Sequence, residues 1–229
     1  MRVDLETGHA LDSNSSGALH ARNNLSANRL ACLRGDRCVF SGLTFVLSEG
    51  GLLQVGGPNG SGKTSLLRIA CGFLKPASGT IEWNGGHLHL LGDDYTGNIA
   101  YVGHSNAVKD DLNVLENLCF SARLAGLPTD ASALEATLSR FAFAGLEHLP
   151  CKVLSQGQKR RLALSRLSLS AGRPLWVLDE PFASLDPAGI EVVRSVIEAH
   201  LARGGMALLT THQDVSISAS SHQRIELAA

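Results

Sequence analysis

The sequence lacks a long apolar run: no stretch approaches the ~20 residues that a membrane-spanning helix needs. It also lacks an excess of one charge, because 20 Lys and Arg stand against 21 Asp and Glu, for a net charge of −1. No global field would therefore draw nucleic acid to the chain. The polar residues at the start contain no apolar segment of the kind that secretory signals carry. These absences argue against a membrane-spanning chain, a secreted precursor and a nucleic-acid-binding protein.

Cysteine is scarce, and its five positions contain no C-x-x-C pair. Four of the five stand in apolar surroundings, which predicts buried, reduced thiols in a cytosolic protein. His87 and His89 lie two residues apart beside two glycines, but no further ligands stand near them. A turn with solvated histidines is therefore favoured over a metal site at this point.

One glycine-rich stretch dominates what is present. Residues 57–64 read Gly-Pro-Asn-Gly-Ser-Gly-Lys-Thr and fit G-x-x-x-x-G-K-[ST], the pattern of a phosphate-binding P-loop. An apolar run before it predicts a buried strand, and the residues after it have helical spacing. Glycines let backbone N–H groups approach phosphate, and the helix start adds partial positive charge. Lys63 is expected on the β- and γ-phosphates, and the Thr64 hydroxyl on Mg²⁺. The predicted nucleotide-binding residues of this stretch are Gly57, Pro58, Asn59, Gly60, Ser61, Gly62, Lys63, Thr64 and Ser65.

A pair of acids forms the second motif. Residues 175–178 are four apolar residues that predict a buried strand, and Asp179 and Glu180 follow them directly. A carboxylate at a strand end beside a P-loop can hold Mg²⁺ through its water shell, and this role falls to Asp179. Glu180 would orient or deprotonate the attacking water. The alternative is a strand that ends in solvated acids.

A third motif stands at the start of an amphipathic helix, in the residues Leu-Ser-Gln-Gly-Gln at 154–158. Ser155 is a natural N-cap, and Gly157 allows a phosphate to approach the helix start closely. The local alternative is an ordinary capped helix. The basic run at 159–161 that follows is interpreted as a solvated helix face.

The order of predicted elements indicates an α/β fold. Strand-like runs lie on both sides of the P-loop and return after residue 171, whereas residues 105–171 are mostly helical. We predict a P-loop NTPase core, a mixed or parallel sheet with flanking helices, that carries a small antiparallel β subdomain and an inserted helical subdomain. Residues 1–27 are expected to form a mobile polar extension, and residues 28–229 the nucleotide-binding domain.

Taken together, the motifs resemble the ATP-binding domains of the ABC-type ATPases, and they stand in the order and spacing of that family. One position departs within the family signature L-S-G-G-Q, where Gln156 replaces the first glycine. After the P-loop, the matching segments are Leu154-Ser155-Gln156-Gly157-Gln158 for the signature, Asp179-Glu180 for the Walker B acids, Ser184-Leu185-Asp186 for the D-loop and His212 for the switch histidine.

The resemblance implies a mechanism built on two copies of the chain in a head-to-tail homodimer. ATP, with Mg²⁺, would lie between the P-loop of one copy and the signature helix of the other, where Ser155 and Gly157 would bind the γ-phosphate. ATP would hold the pair together and hydrolysis would release it. Closure of the pair would drive an integral membrane partner by population shift.

Two departures from the family pattern concern the same predicted site. The family usually has an aromatic residue that stacks on adenine, and alignment on residues 39–42 places Arg34 there. A guanidinium plane can also stack on a base; a turn residue is the alternative. The family's Q-loop glutamine should follow residues 98–102, where His104 stands. Its imidazole can hydrogen-bond the Mg²⁺ shell or the attacking water; a solvated histidine is the alternative.

A narrower resemblance lies within the family. Gly103-His104, residues 113–118, residues 179–182 and residues 210–213 together resemble the CcmA-type subunits of cytochrome c maturation, the haem exporter ATPases. This implies an ATP-hydrolysing translocase subunit, peripheral on the cytoplasmic face of the bacterial inner membrane. The implied partners are a CcmB-like integral membrane transporter subunit and further cytochrome c maturation subunits.

Other functions stay open at this point. A soluble ABC-type ATPase of a cofactor-assembly system, or the ATPase of another small ABC exporter, would carry the same motifs. A GTPase is disfavoured, because the base-reading N/T-K-x-D motif is absent and the nearest string, at residues 211–214, lacks the lysine.

Overall fold

The structure is a computed structural model and describes residues 23–228. Strands and helices are both spread through this range, and a 3₁₀ turn lies at Cys151–Val153. The elements, in chain order, are β1 (Asn24–Arg34), β2 (Arg37–Ser48), β3 (Gly51–Gly56), α1 (Lys63–Ala70), β4 (Ser78–Trp83), β5 (Gly86–His87), α2 (Leu88–Leu91), α3 (Asp93–Thr96), β6 (Ile99–Val102), α4 (Val114–Leu124), α5 (Ala131–Arg140), α6 (Gln156–Leu169), β7 (Leu175–Asp179), α7 (Pro187–Ala202), β8 (Met206–Thr210) and β9 (Ser221–Glu226).

Two sheets organise these elements. A parallel sheet has the strand order β6-β7-β8-β3-β9, and an antiparallel sheet has the order β2-β1-β4-β5. Every residue of β3, β7 and β8 is buried, as expected for parallel strands that are covered on both faces. The predicted α/β fold class is therefore confirmed, with both the parallel core and the antiparallel subdomain in place.

Alternate residues of the central strands enter two different cores. Leu53 and Leu208 join α1 and the antiparallel sheet on one face, whereas Leu52 and Leu209 pack against α4 to α7 on the other. Successive side chains of a strand point to opposite faces, so one short apolar strand supplies both cores. The P-loop leaves the end of β3 between them.

The inserted helices have well-defined starts. Asn113 caps α4 and Ser155 caps α6, each in a capping box, and the Asp130 side chain caps α5. Apolar side chains of all three helices share the second core with the parallel sheet. Among the described residues, no helix is both long and apolar enough to cross a membrane.

The predicted boundary of the N-terminal extension is wrong at its end. β1 begins at Asn24, and Leu25 pairs with both Leu47 of β2 and Trp83 of β4 while being fully buried. Residues 24–27 therefore belong to the antiparallel sheet, because they supply its central strand. The rest of the predicted extension, residues 1–22, lies outside the described residues.

The β6 edge of the parallel sheet is covered by arginine side chains. The carbonyls of Ile99, Tyr101 and Gly103, at β6 and just beyond it, point away from β7 and accept hydrogen bonds from arginine guanidinium groups. Arg173, Arg166 and Arg160 are the three donors, in that order along the edge. The helical subdomain is thus tied to the sheet by charged groups on backbone acceptors.

The cysteines match the expectation only in part. Cys32, Cys71 and Cys151 are buried, but Cys119 is partly exposed and Cys38 is exposed. Burial raises the pKa of the Cys71 thiol to about 12, so it stays protonated and unreactive.

Candidate functional site

The P-loop runs from the buried strand β3 into α1, as the motif requires. The Lys63 ammonium is buried and donates to the carbonyls of Gly57, at 2.7 Å, and Pro58, at 3.1 Å. Gly57 has a φ of 130°, and a Cβ there would lie 2.4 Å from the Leu227 carbonyl oxygen, so only glycine fits. The loop therefore holds its lysine inward, over the space that its own backbone encloses.

Two hydroxyls hold one carboxylate at the bottom of the site. The Asp179 side chain is almost fully buried; its Oδ2 accepts from Thr64 Oγ1 at 2.9 Å and its Oδ1 from Thr210 Oγ1 at 2.7 Å. Asp179 ends β7, Thr210 ends β8 and Thr64 opens α1. Carboxyl ends of neighbouring parallel strands meet at one edge of a sheet, which is why the three side chains converge. Carboxylate and hydroxyl oxygens are the donors that Mg²⁺ prefers, so this pair fits the ion.

Glu180 is held in an unusual backbone conformation. Its φ of 52° is left-handed, and its N–H donates to Thr210 Oγ1 at 2.9 Å. Its Oε2 accepts from the His212 N–H at 3.3 Å, and His212 Nε2 lies 3.4 Å from Oε1. Oε1 is buried and accepts no hydrogen bond from the described residues. The carboxylate thus has an unused acceptor oxygen, which is closed to solvent while the His212 ring lies 3.4 Å away.

These groups line one cavity of about 340 Å³. Arg34 and His104, the two departures from the family pattern, line it together with most of the P-loop, the acid pair and the switch histidine. The predicted residues Gly57 and Pro58 line a second cavity instead, and Ser61 is buried. The two side chains are exposed and can reach a bound molecule. The lining residues are Arg34, Asn59, Gly60, Gly62, Lys63, Thr64, Ser65, His104, Asp179, Glu180 and His212.

The signature residues are not part of this cavity. Ser155 and Gln156 are exposed, and Ser155 Oγ accepts from the Gln158 N–H at 3.2 Å while Gln158 Oε1 accepts from the Ser155 N–H at 2.8 Å. Gly157 packs so closely that a Cβ there would lie 2.6 Å from the Ser184 carbonyl oxygen. Their predicted role on the ATP of a partner copy stays a prediction.

The D-loop residue Asp186 is the N-cap of α7. Its Oδ1 accepts from the Gly189 N–H at 2.9 Å, and the side chain is exposed outside the cavity. One copy of the chain therefore gathers the nucleotide and acid residues but leaves the signature and the D-loop on its surface.

Two residues of the site escaped the sequence analysis. Thr210 follows only from the convergence of strand ends, and no local pattern marks it. Arg160 belongs to the basic run interpreted as a solvated helix face, and for this residue that interpretation is wrong, because it is 3% exposed. Burial lowers the pKa of Arg160, while the nearby Asp179 raises it, and the guanidinium contacts the backbone carbonyls of both acids. The only signal available was that arginine, rather than lysine, stands in the middle of the run.

Comparison with known proteins decides the family. The profile of the family described as ABC transporter matches residues 40–183, which is more than half of the chain. The chain belongs to the ABC transporter ATP-binding family. Membership of this family implies that the chain binds ATP.

Curated relatives within this ABC family cover most of the chain. It is 50% identical, over 86% of its length and 96% of the relative's, to a protein of Nitrosospira multiformis named "Cytochrome c biogenesis ATP-binding export protein CcmA". A protein of the same name from Nitrosomonas europaea is 47% identical over 85% of this chain and 91% of its own.

Solved structures of ABC proteins share the fold. One described as a putative ABC transporter ATP-binding protein from Pyrococcus furiosus has a TM-score of 0.76 and 25% identity, covering 89% of this chain and 97% of its own. Another, "Structure of ATP binding subunit of ABC transporter", has a TM-score of 0.71 and 26% identity, covering 82% of this chain and 79% of its own.

Proposed function

We propose that the chain is the ATP-hydrolysing subunit of an ABC transporter complex that powers a membrane partner in c-type cytochrome biogenesis, in haem export or haem delivery to the periplasm. The observation that carries the proposal is one cavity that gathers Lys63, Thr64, Asp179, Glu180 and His212. The chain's 50% identity to a cytochrome c biogenesis export protein supports the biological assignment.

Nucleotide binding is the first role of the cavity. When a triphosphate enters, its oxygens replace the carbonyls of Gly57 and Pro58 as partners of the Lys63 ammonium. The loop's backbone N–H groups then surround the β-phosphate. Arg34, at the end of β1, lies on the same cavity wall and is proposed to stack on the base.

Mg²⁺ is proposed to be held by Thr64 and Asp179, whose oxygens are 2.9 Å apart. When bound, the ion supplies charge neutralisation at the phosphate oxygens. Thr210 keeps the carboxylate of Asp179 oriented through its own hydrogen bond. Because the carboxylate is fixed from both sides, it needs little rearrangement to accept the cation.

Glu180 is proposed as the residue that orients or deprotonates the attacking water. Its buried Oε1 accepts no hydrogen bond from the described residues, and it would accept one from a water once the His212 ring moves away. His212 lies against the same carboxylate and is proposed to hold the γ-phosphate side of the site. His104, which also lines the cavity, is proposed to replace the glutamine of the family in contacting the water or the Mg²⁺ shell.

A second copy of the chain is proposed to complete the site. The start of α6 presents an exposed serine hydroxyl and a helix N-terminus, which together form an anion-binding surface. In one copy this surface does not line the cavity. A head-to-tail homodimer would place Ser155, Gln156, Gly157 and Gln158 of one copy, with Asp186 nearby, on the ATP of the other.

The membrane partner is proposed to be a CcmB-like integral subunit, joined by further cytochrome c maturation subunits, on the cytoplasmic face of the inner membrane. Exposed apolar side chains support a docking surface near the helical subdomain: Phe120 and Leu124 on α4, and Phe73 after α1, are 39%, 74% and 61% exposed. Contiguous exposed apolar patches mark interaction sites, and the proposal takes these three side chains as parts of one such patch.

The experiment that tests the enzymatic part uses Glu180→Gln. We expect ATP hydrolysis to fall by ~10³-fold or more, because the base is lost while the cavity keeps its shape. ATP binding, measured by fluorescent-nucleotide titration, should persist, and an ATP-bound pair should accumulate. Glu135→Gln removes an equal charge from an exposed position on α5 and should hydrolyse ATP as the wild type does. Hydrolysis by Glu180→Gln at the wild-type rate would refute the role of Glu180.

The biological part is tested in cells. A strain that carries Lys63→Ala as its only copy should accumulate no c-type cytochromes, as measured by haem staining, and the tagged wild-type chain should co-purify with a multi-spanning membrane protein. Normal cytochrome levels would instead point to another exporter or to a soluble cofactor-assembly system.

A further inference from the structure

One arginine connects the acid pair to the loop that carries His104. Arg160, in the first turns of α6, is 3% exposed and makes four hydrogen bonds. Its Nη2 donates to the carbonyl of Asp179 at 2.6 Å and to that of Glu180 at 2.8 Å. Its Nη1 donates to the carbonyl of Gly103 at 2.9 Å and to Asn106 Oδ1 at 3.2 Å. Two separate segments of the chain, residues 103–106 and 179–180, therefore meet at one guanidinium that α6 carries.

The hydrogen bonds from Arg160 to the acid pair fix the backbone of Glu180. Glu180 has a φ of 52°, a left-handed backbone that is unfavourable for a residue with a Cβ. In this conformation the carbonyls of Asp179 and Glu180 face the same nitrogen of Arg160. Thr210 holds the N–H of Glu180 from the other side. The unfavourable backbone thus persists because it is hydrogen-bonded at both ends.

The hydrogen bonds from Arg160 to the loop fix the backbone on either side of His104. Gly103 precedes this histidine, and Asn106 follows it by two residues. Arg160 is therefore hydrogen-bonded to the loop on both sides of the histidine that lines the cavity. A second tie from the same helix lies close by, because Lys159 Nζ is 2.5 Å from Asp110 Oδ1. The loop cannot move away from α6 without breaking these bonds.

We propose that Arg160 is a positioning residue of the reaction: it sets the backbone of Glu180 and the loop of His104 relative to each other, so that displacement of the loop displaces the acid. This proposal rests on the proposed function, since the reaction in question is ATP hydrolysis. The contacts of Arg160 themselves do not depend on that function. Arg160 does not line the cavity and acts only through the groups it holds.

Arginine is suited to this task in a way that lysine is not. A guanidinium is planar and presents donors in a fixed fork, so two of its nitrogens serve carbonyls on two segments at once. Lysine would bring one charge and three donors at a single nitrogen, which cannot bridge the segments at these distances. A purely space-filling role would require no donors, since apolar neighbours would pack against any side chain of similar length.

The test compares Arg160→Lys and Arg160→Met with Arg161→Met. Arg161 is the next residue of α6, and its guanidinium lies over the Phe143 ring, 5.6 Å from the centroid, rather than on the acids. For both Arg160 variants we expect kcat for ATP to fall ~10- to 100-fold, because a catalytic group displaced by about an ångström loses that much. The affinity for ATP should stay unchanged, since the P-loop is intact. Arg161→Met should leave both unchanged.

A second readout does not depend on activity. In the nucleotide-free Arg160 variants, hydrogen–deuterium exchange should be faster than in the wild type in peptides that cover residues 103–110 and 179–186. It should stay at the wild-type rate over residues 57–64. If Arg160→Met does not fold, Arg160→Lys and Asn106→Ala give the same comparison with smaller perturbations.

Two results would overturn the proposal. One is a kcat within twofold of the wild type in both folded Arg160 variants; the other is exchange that rises equally across the whole chain, which would indicate loss of general stability only. Absence of hydrolysis by the wild type would refute the proposed function instead, and the exchange pattern would still decide for or against Arg160.

Discussion

At the scale of single residues, the site depends on polar side chains that are buried against backbone acceptors. Lys63 faces P-loop carbonyls, and Arg160 faces the carbonyls of both acids. Buried charges of this kind are costly where a donor lacks a partner. In Arg160 both Nη atoms are paired, whereas the buried Nε finds no partner among the described residues. Binding of phosphate can replace the partners of Lys63, whereas the partners of Arg160 belong to the frame that holds Glu180.

A buried histidine of α7, packed against β7, leads to the first stability prediction. His200 stacks on Trp176 with ring centroids 3.8 Å apart, and its Nε2 is 3.2 Å from the Met206 carbonyl oxygen, so this nitrogen carries the hydrogen. Burial lowers the pKa of His200 to about 4. The unfolded chain binds a proton near pH 6.5, where the folded chain does not. Stability is therefore complete above that pH and is lost as the pH falls toward 4.

The expected loss is about 2 kcal/mol between pH 7 and pH 5, relative to a variant that cannot titrate. His200→Gln keeps a donor for the Met206 carbonyl and serves as that variant, and His148→Gln, at an exposed position, serves as the control. Urea unfolding at the two pH values measures the difference. An equal pH dependence in the wild type and His200→Gln would show that the histidine titrates normally.

At the scale of elements, β6 is the one edge of the parallel sheet that faces the helical subdomain. Its outward carbonyls would be unpaired, and a bare edge invites pairing with another chain. Arg160, Arg166 and Arg173 occupy these acceptors from α6 and the turn after it. Burial lowers the pKa of Arg166, yet its contact with the Tyr101 carbonyl is kept. The edge is therefore closed by side chains rather than by a strand.

Arg173 allows this closure to be tested away from the acids. Its two Nη atoms donate to the carbonyls of Ile99 and Ala125, joining β6 to the end of α4. Arg173→Met should lower the free energy of unfolding by ~2–3 kcal/mol, because charged donors to buried carbonyls are lost. Arg140→Met, at the exposed end of α5, should have little effect. Matching urea midpoints for the two variants would contradict the role assigned to the edge contacts.

At the scale of the whole molecule, the residues predicted to contact ATP lie on two separate surfaces of the chain. The cavity holds the P-loop and the acids, while the exposed start of α6 lies elsewhere on the surface. A head-to-tail pair would complete two sites at once, which links ATP binding to association. Such a pair would close and open with the nucleotide, and a membrane partner bound to both copies would follow that motion.

Ser155→Asp separates the helix cap from the proposed phosphate contact. Asp caps a helix as well as Ser does, so α6 should stay folded. The added negative charge would oppose the γ-phosphate of the partner's ATP. In the Glu180→Gln background we expect ATP binding to persist and ATP-dependent pairing to be lost, measured by size-exclusion chromatography with light scattering. Ser155→Thr is the control, and a persistent dimer with Ser155→Asp would contradict the partner role of this residue.

The fold was largely predictable where a local pattern carried the information. Residues 57–64 predicted a strand, loop and helix, and the apolar run before Asp179 predicted a strand buried on both faces; both are present. The start of β1 was misplaced, because Asn24 and Ser26 are polar and pair through the backbone. Backbone pairing does not require apolar side chains, so the polarity of the residues does not mark where such a strand begins. The start of β1 is set instead by the strands with which it pairs.

Sequence by itself determined the chemistry of this protein: a lysine and a hydroxyl on a P-loop, two acids after a strand and a histidine after another, in the order of an ABC ATPase. Those features are local, because phosphate binding and strand burial constrain consecutive residues. Only the tertiary structure decided that Thr210 orients Asp179, that Arg160 is buried against both acids, and that Arg34 and His104 line the same cavity. These contacts join residues far apart in the chain, and burial of a charge depends on what packs around it rather than on its neighbours in sequence.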